Sequence, residues 1–395
     1  MGSRAAVRRR PGITFAIGAA VAGFTHIILA APGAMSAPIP LRPVSGEAFF
    51  GQVVAVAPGS ATQATVSSRG ALSTGALAGG MVRARVSGPV GVRGVTVVMR
   101  GPGDRVVARV ASEGVYLLPL SGQVAKPGSR RDPVLGAALA RIAASHAGVN
   151  SIWVQRLWNG HAAGWNADAQ FPAASLVKLP LAAGAVMRMG SRPWTDAAWP
   201  DVVQTLRRSD DKAANRLVDA VGSGCGSGPD AAAADGLRRL GARQSTYPGC
   251  YLIEDELQPR LPAGGVVSAP TWSNRHTTAR DMGRMLFSLQ AAAVPTPSGR
   301  RQTGIDPLRA RMLLGLLLTA DQVGANASLF TGGLPPGTPI AEKNGWRKHE
   351  QHGAAIAYTR RGPIIMVVLT QRAGQADLAA ARAIGAEVAR AALRT

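Results

Sequence analysis

The sequence predicts an α+β domain over residues 133–395, preceded by a small all-β domain and an amino-terminal export segment. Short Val-rich runs alternate with Gly, Pro and Ser over 44–125, whereas apolar residues at helical spacing begin at Pro133. Strand-like runs stand at both ends of 133–395 with several helices between them. This order predicts one antiparallel sheet with a helical insert. A chain of 395 residues has room for two folded units and a targeting segment.

Residues 1–40 are typical of an export signal. Four arginines precede an apolar run over 12–31, and small residues occupy 34–37. Because a run of about 20 apolar residues is also long enough to cross a bilayer, an uncleaved membrane anchor is the alternative to a cleaved signal peptide. Both alternatives place the body of the protein outside the cytoplasm, in the extracellular space or in the cell envelope.

The composition argues against a nucleic-acid-binding protein despite the strongly basic balance. The formal net charge is +22, but only five of the 44 basic residues are lysines, the arginines are scattered, and aromatic residues make up 5% of the chain. Base-stacking platforms and clustered basic runs are therefore lacking. The charge instead favours association with an anionic polymer or lipid of the cell envelope.

The region 44–125 is predicted to form a small β-sandwich, because period-two patterning is broken by turn residues every 8 to 12 positions. It carries no titratable cluster that would suggest chemistry. We interpret it as a spacer or attachment module, with a purely structural role as the alternative. Residues 126–132 form a turn-rich linker to the next domain.

Cys225 and Cys250 are the two cysteines, and both lie in glycine-flanked loop sequence. In an exported chain they are expected to pair, and a bridge closing a loop of about 25 residues would add roughly 3 kcal/mol to stability. Two free thiols are the alternative. Neither cysteine has a His or Cys neighbour at metal-ligand spacing, so no metal site is expected.

Ser175 and Lys178 are the first candidate catalytic pair. They stand three residues apart where a strand-like segment passes into an apolar helix. At that spacing the side chains share one helix face, and a partly buried lysine with a lowered pKa can accept the serine proton. Ser209 and Lys212 repeat the same spacing, which alone is a weak signal. Lysine is scarce in this chain, and yet Lys178, Lys212 and Lys343 each fall within a candidate motif.

Further motifs follow in a set order along 133–395. The five segments are Ser175-Leu-Val-Lys178, Ser209-Asp210-Asp211, 275–282, 311–323 and Lys343-Asn344-Gly345. In this order the region resembles the class A β-lactamases and the broader penicillin-recognising serine hydrolases. The resemblance implies a β-lactamase/transpeptidase-like fold, a serine acyl-enzyme mechanism and no cofactor.

The resemblance also implies a role for each matching residue. Ser175 would attack a carbonyl carbon while Lys178 accepts its proton. Ser209 would pass a proton to the leaving nitrogen, and Lys343 would hold Ser209 and attract a substrate carboxylate. The backbone N–H groups of Ser175 and of a residue shortly after Gly345, Arg347, would form the oxyanion hole.

The chain departs from the family pattern in three places. Asp211 replaces an asparagine that binds substrate, and an ionised carboxylate can accept from Lys178 but cannot donate to a substrate carbonyl. Asn344 replaces the small hydroxyl residue that helps to bind a β-lactam carboxylate. Few residues separate Ser175 from Ser209, which predicts a more open cleft.

Glu254 is the candidate base for deacylation. It begins Glu-Asp-Glu-Leu-Gln, which resembles the glutamate loop with which class A enzymes activate water. An acidic, solvated loop beside Cys250 is the alternative. His349 and His352 follow the Lys343 segment and are expected mainly to face solvent.

These observations give one leading function and two alternatives. The leading expectation is a serine hydrolase that acts on a β-lactam or a related amide through an acyl-enzyme. The second is a peptidoglycan D-Ala-D-Ala carboxypeptidase or transpeptidase, motivated by Asn344 and the open cleft. The third is a non-catalytic cell-wall-binding homologue, motivated by Asp211 and the net charge of +22.

Overall fold

The structure is a computed structural model. It describes residues 48–68, 71–119, 130–221, 231–247, 275–294 and 304–394. The predicted export segment, Cys225, Cys250 and Glu254 lie outside these ranges. Among the described residues, no helix is both long enough and apolar enough to cross a membrane.

The described amino-terminal part, residues 48–119, is built from short strands in two sheets, and we call it the β-module. One sheet has the order β1-β5-β4 and the other β3-β2-β6-β7. Valines from both sheets, among them Val53, Val66 and Val82, share one buried cluster. The strands are β1 Gln52–Val56, β2 Gln63–Ser68, β3 Ala71–Thr74, β4 Ala76–Ala78, β5 Met81–Arg85, β6 Gly91–Arg100 and β7 Val106–Leu117.

A six-stranded sheet organises residues 130–394, as the strand-like runs at both ends of this region predict. Its order is β13-β14-β15-β9-β10-β8, and every neighbouring pair is antiparallel except β8 with β10. The strands are β8 Arg130–Arg131, β9 Val149–Arg156, β10 His161–Trp165, β13 Ile340–Trp346, β14 Glu350–Thr359 and β15 Gly362–Gln371. A separate pair joins β11 Phe171–Pro172 to β12 His276–Thr277.

Helices cover both faces of this sheet. They are α1 Pro133–Ser145, α2 Lys178–Arg188, α3 Trp199–Arg207, α4 Asp211–Val221, α5 Ala231–Arg239, α6 Ala279–Ala293, α7 Pro307–Leu318 and α8 Leu378–Arg394. Because side chains alternate along a strand, Ile152 and Val154 enter the cluster under α1 and α8, whereas Trp153 enters the cluster on the opposite face. The α+β class with an antiparallel sheet and a helical insert is therefore confirmed.

Helix α2, which follows the nucleophile, is buried by unusually close packing against α5. A Cβ added to Gly184 would lie 1.7 Å from the carbonyl oxygen of Ala232, and one added to Gly236 would lie 1.8 Å from that of Pro180. Only glycine permits backbones to approach this closely. The first turn of α2 is consequently sealed from solvent, and Lys178 with it.

Candidate functional site

Ser175 lies in a single 3-10 turn, Ala174–Val177, that leads directly into α2. The side chain is 5% exposed. The preceding residue, Ala174, has a φ of +45°, a left-handed conformation that costs a non-glycine residue about 1–3 kcal/mol. Such strain is typical of functional sites, and here it falls beside the predicted nucleophile.

Lys178 contacts the Ser175 hydroxyl, as the three-residue spacing predicts. Its Nζ lies 3.1 Å from Ser175 Oγ, and the lysine side chain is fully buried. Burial lowers the pKa of Lys178, because the charged form is poorly solvated, while the carboxylate of Asp211 opposes that shift. A lysine with a lowered pKa is suited to accept a proton.

The Ser209 hydroxyl lies between two lysines. Lys343 Nζ donates to Ser209 Oγ at 2.8 Å, and Lys178 Nζ lies 3.4 Å from the same oxygen. Lys178 also donates to the backbone oxygen of Ser209 at 2.5 Å. Ser209 itself has a φ of +58°. In this strained conformation, Ser209 presents its hydroxyl oxygen and its backbone oxygen to the lysines.

Two successive aspartates at the start of α4 have separate tasks. Asp210 accepts a hydrogen bond from the backbone N–H of Ala213 at 2.7 Å and so caps the helix. Asp211 instead forms an ion pair with Lys178, whose Nζ donates to its Oδ1. The side chain of Asp211 keeps 31% of its surface exposed, so the pair reaches from the sealed interior to the cleft.

Lys343 is almost fully buried on β13, at 2% exposure. Its pKa lies well below its ordinary value, chiefly because of burial and secondly because of the nearby charge of Lys178. Besides Ser209 Oγ, it donates to the backbone oxygen of Asn344 at 2.6 Å. The two lysines and Ser209 therefore form one hydrogen-bonded unit.

The side chain of Asn344 is bound within the protein. Its Nδ2 donates to the backbone oxygens of Asn326, at 2.7 Å, and Ala327, at 3.1 Å. Because both partners are carbonyl oxygens, the amide nitrogen must face them. Asn344 thus fastens 326–327 to β13 and holds both of its N–H groups away from a substrate carboxylate.

Glu342 is buried behind this strand, with 2% of its surface exposed. Its Oε1 accepts from the backbone N–H of Leu329 at 3.2 Å. Burial raises the pKa of Glu342 to about 7. The carboxyl group therefore supports β13, and Glu342 also lines a small cavity that includes Ser209.

Gly345 lies where β13 passes close to the nucleophile turn. A Cβ at this position would lie 3.0 Å from the backbone nitrogen of Ser175 and 3.1 Å from that of Leu176. These are backbone atoms, which cannot move aside as a side chain can. The strand edge and the 174–177 turn are consequently in direct backbone contact.

The expectation that the Arg347 N–H contributes to an oxyanion hole is wrong in this conformation. That N–H donates to the backbone oxygen of Glu350 at 3.0 Å. Because successive N–H groups on an antiparallel strand point to alternate sides, the N–H of Trp346 points away from β14, to the open edge of the sheet. The sequence interpretation did not consider Trp346, and only the register of the following turn shows that its N–H faces the open edge.

His352 is buried, contrary to the expectation that it faces solvent, and so is His349. The Nδ1 of His352 accepts from the backbone N–H of Thr370 at 3.2 Å, which leaves the proton on Nε2. That Nε2 donates to the backbone oxygen of Pro172 at 2.8 Å. Burial lowers the pKa of His352 to about 4, so the ring is neutral near pH 7. His352 thereby holds the segment that precedes Ser175.

The structure thus brings five of the predicted residues into one contact network: Ser175, Lys178, Ser209, Asp211 and Lys343. Gly345 approaches its edge through backbone atoms. A small cavity beside the Ser209 hydroxyl is lined further by Asp321, Asn326 and Lys343. Glu254, outside the described residues, stays a prediction as the deacylating base.

One family of known proteins matches most of this chain. The model of the beta-lactamase enzyme family matches residues 134–192 and 202–395. No curated protein matches. Among solved structures, a class A beta-lactamase from Mycobacterium abscessus has a TM-score of 0.50 and 18% identity, covering 66% of this chain and 98% of that chain.

Two further solved structures are similar. An ancestral class A beta-lactamase has a TM-score of 0.48 and 23% identity, covering 65% of this chain and 98% of its own. The structure of PBP-A has a TM-score of 0.48 and 15% identity, covering 67% of this chain and 98% of its own. At such identities the Mycobacterium abscessus structure supports the fold alone.

Proposed function

Because the chain belongs to the β-lactamase enzyme family, we propose that it is a serine hydrolase that acts on β-lactams or related amides through an acyl-enzyme on Ser175. The observation that carries this proposal is the 3.1 Å contact between Lys178 Nζ and Ser175 Oγ. A buried amine with a lowered pKa, in contact with a serine hydroxyl, is an activated nucleophile pair.

In the acylation step, Ser175 Oγ forms a bond to the substrate carbonyl carbon and its proton passes to Lys178 Nζ. The negative charge that develops on the carbonyl oxygen would be stabilised by the backbone N–H groups of Ser175 and Trp346. Donors fixed in advance in this way each contribute about 2.7–4 kcal/mol to transition-state stabilisation. The backbone of β13 at Gly345 passes close to the backbone nitrogen of Ser175. This closeness supports a site in which the Ser175 N–H and the Trp346 N–H lie on opposite sides of the carbonyl oxygen.

Breakdown of the tetrahedral intermediate breaks the C–N bond, and the leaving nitrogen takes a proton from Ser209 Oγ. Ser209 recovers a proton through its contacts with the two lysines, at 2.8 Å from Lys343 and 3.4 Å from Lys178. The proton that Lys178 took from Ser175 can thus reach the leaving group without passing through solvent. The products of this half-reaction are the Ser175 ester and a free amine.

Hydrolysis of that ester requires an activated water. Glu254 is proposed for this task on the resemblance of its sequence segment alone. Asp211 accepts from Lys178 and keeps part of its surface in the cleft, so it is the described carboxylate in contact with the catalytic unit. The rate of deacylation separates a β-lactamase from an enzyme that stays acylated.

A peptidoglycan carboxypeptidase or transpeptidase is the second candidate. The observation that favours it is Asn344, whose N–H groups are bonded to backbone oxygens instead of being available to a β-lactam carboxylate. The same Ser175 and Lys178 chemistry would act on a peptide amide. Release of D-alanine from a D-Ala-D-Ala peptide would support this candidate.

The deciding experiment is a time course of Ser175 acylation. Wild type and Ser175→Ala are incubated with a labelled penicillin and followed by intact-protein mass spectrometry. We expect an adduct on wild type that is lost with time and no adduct on Ser175→Ala. An inert wild type that nevertheless pellets with purified cell wall would favour the non-catalytic wall-binding alternative.

We also propose that the protein is exported, as a secreted or envelope-associated enzyme. The apolar run over 12–31 behind four arginines supports this, and the net charge of +22 supports contact with anionic envelope polymers. Export would also favour a disulfide between Cys225 and Cys250. The mature amino terminus and the masses before and after reduction test these proposals.

A further inference from the structure

Two aromatic residues of the β-module pack directly against helix α7. The rings of Phe49 and Tyr116 are stacked, with centroids 4.6 Å apart and an angle of 19° between their planes. A Cβ on Gly315 would lie 2.8 Å from Tyr116 Cδ1 and 3.0 Å from Phe49 Cε1. The aromatic pair therefore occupies the space that a side chain at 315 would need.

One turn earlier on α7, Arg311 joins the β-module to the rest of the protein. Its guanidinium is fully buried and donates to the backbone oxygens of Phe49, Leu118 at 3.0 Å and Pro119 at 2.9 Å. It also donates to the backbone oxygen of Ala293 on α6, at 3.0 Å. Burial lowers the pKa of Arg311 to about 10. A buried guanidinium requires hydrogen-bond partners, and here backbone oxygens of the β-module and of α6 supply them. Arg311 therefore fixes the position of the β-module relative to α6 and α7.

Thr319 follows the last residue of α7 and joins that helix to α3. Its hydroxyl donates to the backbone oxygens of Gly315, at 3.0 Å, and Leu316, at 3.1 Å. Its backbone oxygen accepts from Arg207 Nε at 3.1 Å. Thr319 therefore connects the last turn of α3 to Gly315, the residue against which Tyr116 packs.

Arg207 lies between Thr319 and the candidate catalytic site. Its backbone oxygen accepts from the N–H of Asp321 at 2.8 Å, and its guanidinium lies 3.8 Å from the Asp321 carboxylate. Asp321 lines the small cavity beside the Ser209 hydroxyl. Ser209 follows Arg207 by two residues and has a strained backbone that its surroundings must hold in place.

We propose that Tyr116 is a positioning residue for Ser209, and that the β-module supports the catalytic centre through this residue rather than serving as a spacer. The contacts run from the Tyr116 ring to Gly315, from Gly315 to Thr319 and Arg207, and from Arg207 along the backbone to Ser209. This inference rests on the proposed function, in which Ser209 protonates the leaving nitrogen. It replaces the spacer interpretation of the β-module with a specific mechanical role.

Amide and thioester substrates should respond differently to a misplaced Ser209. When a β-lactam or peptide amide reacts, the C–N bond breaks as Ser209 Oγ gives its proton to nitrogen. An activated thioester of an acylated glycine expels a stable thiolate, which needs no proton. Loss of Ser209 placement must therefore slow reaction with the amide while sparing the thioester, whereas a general loss of structure slows both.

The test compares Tyr116→Ala and Gly315→Ala in the full chain with a matched control, Val66→Ala. Val66 is buried in the β-module cluster on β2 and is 2% exposed, so its truncation weakens the module away from α7. We expect acylation by a penicillin to slow about threefold in Tyr116→Ala, which removes the ring that packs on Gly315, and about tenfold in Gly315→Ala. Acylation by the thioester should stay within twofold of wild type in both, and Val66→Ala should match wild type with both probes.

Amide hydrogen exchange is measured on the same proteins. We expect faster exchange at 319–321 and 207–211 in Tyr116→Ala and Gly315→Ala, and unchanged exchange there in Val66→Ala. Equal slowing of both probes, equal slowing in Val66→Ala, or unchanged exchange in these segments would overturn the inference. A wild type that neither probe acylates would instead refute the proposed function, while the exchange data would still decide whether Tyr116 holds these segments.

Discussion

Lys178 and Asp211 form an ion pair in which the lysine is fully buried and the carboxylate keeps 31% of its surface exposed. The pair joins the first residue of α2 to the first residue of α4, and Lys178 also contacts the Ser175 hydroxyl. The pKa of Lys178 is lowered by burial and raised by the charge of Asp211, and burial has the larger effect. The pH at which Lys178 becomes a base is therefore set by two opposing groups.

Asp211→Asn should shift the pH dependence of acylation. Removal of the carboxylate removes the charge that raises the pKa of Lys178, so the pKa falls further and the neutral amine persists to lower pH. We expect the acidic limb of the acylation-rate profile to move to lower pH. Stopped-flow acylation rates over a pH series measure this shift.

The control for that variant is Asp219→Asn. It makes the same change of charge near the other end of α4, at an exposed position. Its acidic limb should coincide with that of wild type. An acidic limb in Asp211→Asn that stays in place or moves to higher pH would contradict the role given to Asp211.

Lys178→Arg should slow acylation by about 10²- to 10⁴-fold, because a guanidinium keeps the charge but cannot accept the proton of Ser175. Lys212→Arg is the matched control, since Lys212 has the same spacing from Ser209 but is exposed on α4. It should acylate at the wild-type rate. Comparable rates in the two variants would refute proton transfer to Lys178.

Gly345→Ala should slow acylation by about 10- to 100-fold. The added Cβ would meet the backbone nitrogens of Ser175 and Leu176 at 3.0 and 3.1 Å, and β13 must move away from the nucleophile turn. Gly136→Ala on α1 is the control, because its Cβ would meet only Ala163 Cβ at an ordinary 3.9 Å. Single-turnover kinetics with a chromogenic β-lactam compare the two variants.

Glu342 should make the stability of the protein fall as the pH rises. Its pKa is raised from 4.5 to about 7 by burial, so between these values the unfolded chain has lost a proton that the folded protein keeps. The stabilisation is fully present below about pH 4.5 and is lost as the pH rises through 7. At 1.36 kcal/mol for each pH unit, the contribution is about 3 kcal/mol.

Urea unfolding at a series of pH values measures this effect in Glu342→Gln. The amide keeps the acceptor for the Leu329 N–H and does not titrate, so the variant should lose less stability than wild type between pH 4.5 and 7. Glu387→Gln, at a half-buried carboxylate on α8, should retain the wild-type slope. Parallel curves for wild type and Glu342→Gln would show that Glu342 does not titrate in this range.

Local spacing was sufficient to predict one pair of the site, because Ser175 and Lys178 share one helical turn. Ser209 and Lys343 were instead identified by the resemblance of their motifs, and of the order of those motifs, to a known family. The strands at both ends of 133–395 followed from local periodicity, which acts over a few neighbouring residues.

The remaining features depend on contacts between distant residues. The direction of the Arg347 N–H is fixed by its pairing with Glu350 across a turn, and the burial of His352 follows from its place on β14, between β13 and β15, and from its contact with Pro172. Neither is encoded in a local motif. The seating of Tyr116 against Gly315 joins residues that no periodicity relates.

The placement of β9 constrains how the protein can be made. This strand lies between β10 and β15, and Val149 pairs with Gln371 near the carboxyl end of the chain. During synthesis β9 emerges long before its partner, and one edge of it stays open until β15 arrives. The sheet therefore stays unfinished until β15 has been made, and premature termination before Gly362 would leave an aggregation-prone fragment.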